Sequence, residues 1–160
     1  MASAKRKSEP ARADQADLLV LEDFLPYRLS ILSNRVSRAI AKRYAKAFNL
    51  TIPEWRIIAV LGRRTGLTAK DIAEATEMDK VAVSRAVARL MAAGRVSARP
   101  DAEDARRQLL TLTREGQSVH ARIAPIALAS ERRLLAALSA RERETLDALL
   151  DRLLETARTL

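Results

Sequence analysis

Apolar residues in the first third of the chain return every three or four positions: Leu29, Leu32, Val36, Ile40, Tyr44, Ala47 and Phe48. That step places them on one side of a helix. With Pro26 suited to a first turn, the pattern predicts a long amphipathic helix to about Asn49, its opposite face carrying Arg28, Arg35, Arg38, Lys42 and Lys46. Thr51-Ile-Pro-Glu54 has capping-box spacing, so a second helix starts at about Pro53. Trp55, Ile57, Ile58 and Leu61 form its apolar face, and the stretch Gly62 to Gly66 ends it. Thr68-Ala-Lys-Asp71 opens a short helix through about Ala75 that buries Ile72 and Ala73. After the turn Thr76-Glu-Met78, Asp79 caps a fourth helix, Lys80 to about Ala93, with Val83, Val87 and Leu90 inward and Gly94 as its left-handed stop.

The period then changes. Arg95 to Pro100 and Gln108 to Thr113 alternate like short strands around the polar stretch 101–107, which predicts a β-hairpin with a charged tip. Helical spacing resumes at Thr113 and runs to about Leu138, interrupted or kinked near Pro125. Ser139-Ala-Arg-Glu142 is a third capping-box match, and it opens a last helix bearing Leu146, Leu149, Leu150, Leu153 and Leu154. Ahead of the first helix, residues 1–16 read as a disordered basic tail, followed by an apolar arm, Leu18 to Leu21 with Phe24 and Leu25.

Composition narrows the chemistry. In 160 residues there is no Cys and one His, which excludes zinc-finger spacings, thiol nucleophiles and disulfides, and leaves no metal or cofactor site to propose. His120 by itself reads as a helix-surface residue. No apolar stretch is long enough to span a bilayer, so a soluble, cytoplasmic protein without membrane contact is expected. The net charge of +9 is uneven, reaching +8 over residues 28–64 and falling to zero over 115–160. Clustered Lys and Arg favour a polyanionic partner, because neutralising phosphates releases counterions; the alternative is a solvated basic face. Catalysis finds no support. Ser84 has no His or Lys partner at a useful spacing, Glu142 and Glu144 diverge on a helix, and no phosphate-loop, dinucleotide or nucleophile-elbow pattern occurs.

Two short helices separated by a tight turn, the second with Lys and Arg on its outer face, make the pattern of a helix-turn-helix, and a hairpin directly after it makes a wing. Lys80 and Arg85 then have the reach for guanine edges and Ser84 for a base or phosphate, with Thr68, Ala82 and Arg89 as flanking contacts. At the hairpin tip, Asp104 stands two residues before Arg106 and is expected to brace that guanidinium for a narrow minor groove, while Arg107 meets a phosphate.

The ordered set Leu50-Thr-Ile-Pro-Glu-Trp-Arg-Ile-Ile-Ala-Val-Leu61, Leu67-Thr-Ala-Lys-Asp-Ile-Ala73, Val83-Ser-Arg-Ala-Val-Ala-Arg-Leu90, Gly94-Arg-Val96 and Asp104-Ala-Arg-Arg107 with Leu112-Thr-Arg-Glu-Gly116 resembles the MarR family of winged helix-turn-helix regulators. The resemblance spans roughly residues 25–157. It implies a mainly α fold with a small β-hairpin, in which 50–113 form the DNA-binding lobe, residues 80–93 the recognition helix and Arg106 the wing arginine. It also implies N- and C-terminal dimerisation helices, 17–49 and 114–160, so that a homodimer binds a pseudo-palindromic double-stranded operator. The leucine-rich last helices and the apolar arm favour a dimer independently.

Family members commonly bind a small effector between the dimerisation helices and the DNA lobe, which implies a ligand set of Leu25, Tyr27, Arg28, Leu29, Leu32, Asn34, Arg38, Trp55 and Ile58, equally readable as plain core. The segment Phe24-Leu-Pro-Tyr-Arg-Leu-Ser-Ile-Leu-Ser-Asn34 further resembles the subgroup that senses aromatic acyl-CoA thioesters such as hydroxycinnamoyl-CoA in aromatic catabolism. The expectation is a repressor released by such an effector. Its alternatives are a regulator of the same type answering a free phenolic acid, and a non-specific architectural DNA-binding protein.

Overall fold

The computed structural model describes residues 19–160; the expected basic tail, 1–16, and Leu18 of the arm lie outside the described residues. Among the described residues, six helices and one hairpin follow in order: α1 (Leu25–Phe48), α2 (Ile52–Arg63), α3 (Ala69–Thr76), α4 (Lys80–Ala92), β1 (Val96–Pro100), β2 (Gln108–Leu112), α5 (Arg114–Leu135) and α6 (Ala140–Ala157). The chain divides into two compact units, Met1–Val36 and Ser37–Leu160. In the first, the arm turns into α1 through Asp23 and Phe24, whose N–H groups both donate to the Val20 carbonyl at 3.1 Å. Leu19, Val20, Leu21, Phe24 and Leu25 are all exposed.

The second unit holds the core. Ile57, Ile58 and Leu61 of α2 close on Ile72 of α3, Val83 and Leu90 of α4, Val96 and Leu110 of the hairpin, and Val119 and Ile123 of α5, with Tyr44 at the near end of α1. In α2, α3 and α4 the burial follows the three- and four-residue steps read from the sequence, whereas the leucine row of α6 stays exposed. Each expected N-terminal cap forms: Thr51 and Glu54, Thr68 and Asp71, and Ser139 and Glu142 exchange side-chain to backbone bonds as capping boxes, while Asp79 caps α4 and Thr113 caps α5. Each pairing satisfies N–H groups that a helix start leaves without partners.

The end of α4 fixes the hairpin. Gly94, at φ +66°, adopts the left-handed conformation its position requires. The Gly94 N–H reaches the Met91 carbonyl and the Arg95 N–H the Leu90 carbonyl, both at 2.9 Å, the paired bonds of a Schellman stop. β1 and β2 then pair antiparallel from Val96 opposite Leu112 to Pro100 opposite Gln108. A single bridge between Leu67 and Leu110 ties the α2–α3 connection to β2.

Four expectations change here. Arg95 and Thr113 are not strand residues; both are taken up by joints, Thr113 donating its hydroxyl proton to the Gly94 carbonyl at 2.7 Å and Arg95 placing Nη2 2.6 Å from the Phe48 carbonyl. α5 is not interrupted at Pro125 but runs unbroken to Leu135. One absent N–H donor leaves the rest of the ladder in place, with Val119 and Ile123 anchored in the core just before it. His120 is no free surface residue: half-buried, it stacks on Trp55 with centroids 6.0 Å apart, and a side chain on Gly62 would strike it. Ile58, placed in the ligand set and equally readable as core, is fully buried in the core.

Tyr44 is the other member of this aromatic row, 5.8 Å from Trp55. Burial pushes its hydroxyl pKa up to about 12; the nearby Arg56 guanidinium opposes that shift and the Glu54 carboxylate adds to it.

Candidate nucleic-acid interface

α3 and α4 form the helix pair, and the three residues between them set its angle. Glu77 sits at φ +51°, ψ +32°, a left-handed stop for α3, and its N–H returns to the Ala73 carbonyl. Asp79 then starts α4: its Oδ1 accepts from the N–H groups of Val81 and Ala82 at 2.9 and 3.1 Å. With Val83, Ala86, Val87 and Leu90 buried, the opposite side of α4 is left outward. Lys80, Ser84, Arg85 and Ala88 are exposed there.

Three expected contacts are placed differently. Ala82 is half-buried, whereas Val81, which the sequence reading passed over, is 54% exposed. The Arg89 guanidinium turns toward the start of α2, its Nη1 3.9 Å from Oε1 of buried Glu54. Thr68 is committed to its cap: the hydroxyl donates to Asp71 Oδ2 at 2.7 Å and accepts from the Asp71 N–H at 3.2 Å. A phosphate needs a donor, and the one hydroxyl proton of Thr68 is already used.

The wing tip is held by backbone and carboxylates rather than by apolar packing. Arg107 and Asp101 close the loop, the Asp101 N–H donating to the Arg107 carbonyl and the Arg107 N–H to the Asp104 carbonyl, each at 2.9 Å. Asp104 was expected to hold the Arg106 guanidinium. Its Oδ1 instead accepts the Arg106 backbone N–H at 3.0 Å, because a carboxylate two residues back in a tight turn meets the main chain before it can meet a long side chain. Asp104 therefore sets the backbone from which Arg106 projects. The ion pair at the tip is Arg107 Nη1 with Asp101 Oδ2, at 3.6 Å. Among the described residues, no carboxylate lies within ion-pair distance of Arg106 or Arg85.

Between the start of α3, the outer edge of α4 and the wing lies an open cleft of about 970 Å³. Val87, Met91, Ala98 and Leu110 give it an apolar floor, and Lys70, Arg106 and Arg107 a basic rim. The Asp71 carboxyl beside it stays below the usual range, chiefly through its side-chain and backbone bonds from Thr68, with Arg107 and Arg64 adding attraction. Cations thus dominate the rim.

The residues expected to meet an effector fall in both units. In Met1–Val36, Leu25, Tyr27, Arg28, Leu29, Leu32 and Asn34 are exposed on α1, with Asn34 Nδ2 donating to Ser30 Oγ at 3.4 Å. In Ser37–Leu160, Arg38 is exposed and Trp55 is packed between Tyr44 and His120.

Residues 48–107 match the profile of the MarR family. The chain is 30% identical over 108 residues to the transcriptional regulator HosA of Escherichia coli O127:H6, covering 68% of this chain and 80% of that one. It is similar in structure to the S. aureus MepR–DNA complex, with a TM-score of 0.74 and 25% identity over 83% of this chain and 98% of that one. It is also similar to the PcaV transcriptional regulator of Streptomyces coelicolor in complex with its natural ligand, with a TM-score of 0.69 and 25% identity over 88% and 98%.

Proposed function

Because this chain belongs to the MarR family of transcriptional regulators, we propose that it represses transcription by reading a pseudo-palindromic DNA operator as a homodimer, and that a small effector releases it. The observation that carries the reading is the outer side of α4 beside the wing: Lys80, Ser84 and Arg85 exposed on one helix, and Arg106 projecting from a tip whose backbone Asp104 fixes. A helix fits the major groove, and an arginine beside it suits the narrower minor groove. In this reading Lys80 and Arg85 meet base edges, Ser84 a base or phosphate, Arg106 the minor groove and Arg107 the backbone. Residues 50–113 are the reading lobe, and 17–49 with 114–160 are the dimerisation helices, which set two lobes about one DNA turn apart. The solved MepR–DNA complex supports a DNA partner.

The effector in this reading is an aromatic acyl-CoA thioester. Such a molecule needs apolar surface for its ring and cations for its phosphates. The first half of α1 offers both, in exposed Leu25, Tyr27, Leu29 and Leu32 with Arg28 among them. That PcaV was solved with a natural ligand supports effector control in a similar protein. The described residues contain no helix long and apolar enough to cross a membrane, in keeping with a cytoplasmic regulator.

Binding of the purified protein to its own upstream DNA against scrambled competitor, at physiological salt and with a panel of aryl-CoA esters and free phenolic acids, tests the whole reading. Selective binding abolished by a thioester is expected. Release by a free acid alone would move the effector to that class, and equal binding of scrambled DNA would replace the regulator with an architectural protein. Within the same assay, Arg106→Ala is expected to cost about 1 to 3 kcal/mol of operator affinity and to relax preference at the flanks of each half-site. Parent-like binding by that variant would remove Arg106 from the interface.

A further inference from the structure

The Val81 side chain is not part of the hydrophobic core. It lies in the first turn of α4 with 54% of its surface exposed, two positions from the buried Val83 and off the face that packs on α2 and α3. A β-branched residue on an open helix face is a poorer helix former than the Lys, Arg and Ala exposed elsewhere on α4. It is also rigidly placed, because Asp79 Oδ1 accepts the Val81 N–H at 2.9 Å and pins the turn that carries it. Along the helix, Val81, Ser84, Ala88 and Met91 follow one another at three- and four-residue steps and are all exposed, with Met91 43% open. That row is uncharged and, Ser84 apart, apolar, with Lys80 and Arg85 on either side of it.

A surface meant only for phosphates would place cations along that line. Base edges in a major groove offer one apolar group, the 5-methyl of thymine, and short apolar side chains are what meet it. Resting on the DNA-reading role given above, we infer that Val81 is a specificity-determining residue that recognises a thymine methyl in each half-site. The Val81 methyls cover the thymine methyl and exclude water, while Lys80 and Arg85 make the polar contacts on either side. Deoxyuridine presents the same hydrogen-bonding edge without the methyl, so it isolates this term.

The test uses the full chain and a duplex enriched from a randomised pool by the parent protein. Each thymine is replaced in turn by deoxyuridine, and affinity is measured for the parent and for Val81→Ala, a substitution that leaves the buried side of α4 untouched. One thymine per half-site is expected to lose about fourfold in parent affinity when its methyl is removed, the worth of one buried methyl. In Val81→Ala the same replacement is expected to change affinity less than twofold. A parent indifferent to every replacement, or a variant that keeps the full loss, would overturn the assignment of Val81. Equal parent affinity for the enriched and a scrambled duplex is a separate outcome, which would overturn the DNA-reading role and the inference with it.

Discussion

A single hydroxyl proton decides what Thr68 does. The sequence offers Thr68 both as a helix cap and as a DNA contact, and the two roles compete for one donor. The structure gives the proton to Asp71 Oδ2, and Asp71 in turn accepts the Thr68 N–H at 2.8 Å. These bonds hold the Asp71 carboxyl below its ordinary value of 3.8. A carboxyl depressed in the folded state stabilises the fold above its unfolded pKa, and that contribution disappears as pH falls through the lower folded value. Asp71→Asn is therefore expected to cost about 1 kcal/mol at neutral pH, the usual worth of a cap, and progressively less as the pH drops below 3.8. Urea unfolding of parent and variant across that range reads the gap, and a gap that stays constant into acid would show that the carboxylate charge is not what holds the cap. Asp104 carries the same lesson. Its spacing from Arg106 was visible in the sequence, but which atom of Arg106 it would meet depended on the turn geometry, and the backbone N–H lies nearer than the guanidinium.

At the scale of elements, the joint between α4, β1 and α5 is closed by Gly116. A Cβ at that position would run into the Arg95 carbonyl and crowd Leu112, both of which are fixed by strand and cap bonds. Helix propensity alone says that Gly→Ala inside α5 should stabilise by about 1 kcal/mol. The contact predicts the opposite sign: Gly116→Ala is expected to destabilise by about 1 to 3 kcal/mol, as overpacking against unyielding backbone does. Chemical denaturation separates the two, and a stabilised variant would mean that α5 can shift away from β1. Elements with local signals were legible in the sequence, since the capping pairs at Thr51, Thr68 and Ser139 and the glycine at 94 are written within four residues of where they act. Joints were not. Arg95 reads as the start of a strand because nothing nearby shows that the Phe48 carbonyl, 47 residues back, will take its guanidinium. Pro125 reads as a break because the core contacts that carry α5 through it come from other elements. Val81 was passed over although the inward spacing of Val83, Val87 and Leu90 already turned it outward, where it is 54% exposed.

For the whole molecule the telling element is α6. It is 18 residues long, opens with a complete capping box, and buries none of its residues. Leu146, Leu149, Leu150, Leu153 and Leu154 remain 36 to 63% exposed along it. An isolated helix of this length is marginal in water and draws most of its stability from packing an apolar face. The residues from 115 onward carry no net charge, unlike the basic stretch 28–64, so nothing repels a second copy at this end. The proposed dimer supplies the missing face: burying the roughly half of each leucine that is still exposed contributes about 1 kcal/mol, and twofold symmetry counts it twice. Replacing Leu149 and Leu153 together by Glu sets like charges across that face. The double variant is expected to halve the mass seen by light scattering and to lose the concentration dependence of its thermal unfolding, which an associating fold must show. It is also expected to lose operator affinity far beyond what any one contact on α4 supplies, because two lobes no longer bind as one. Retention of the parent mass would place the dimer interface elsewhere in the chain, and a monomer that still binds operator at full strength would break the link between α6 and DNA reading.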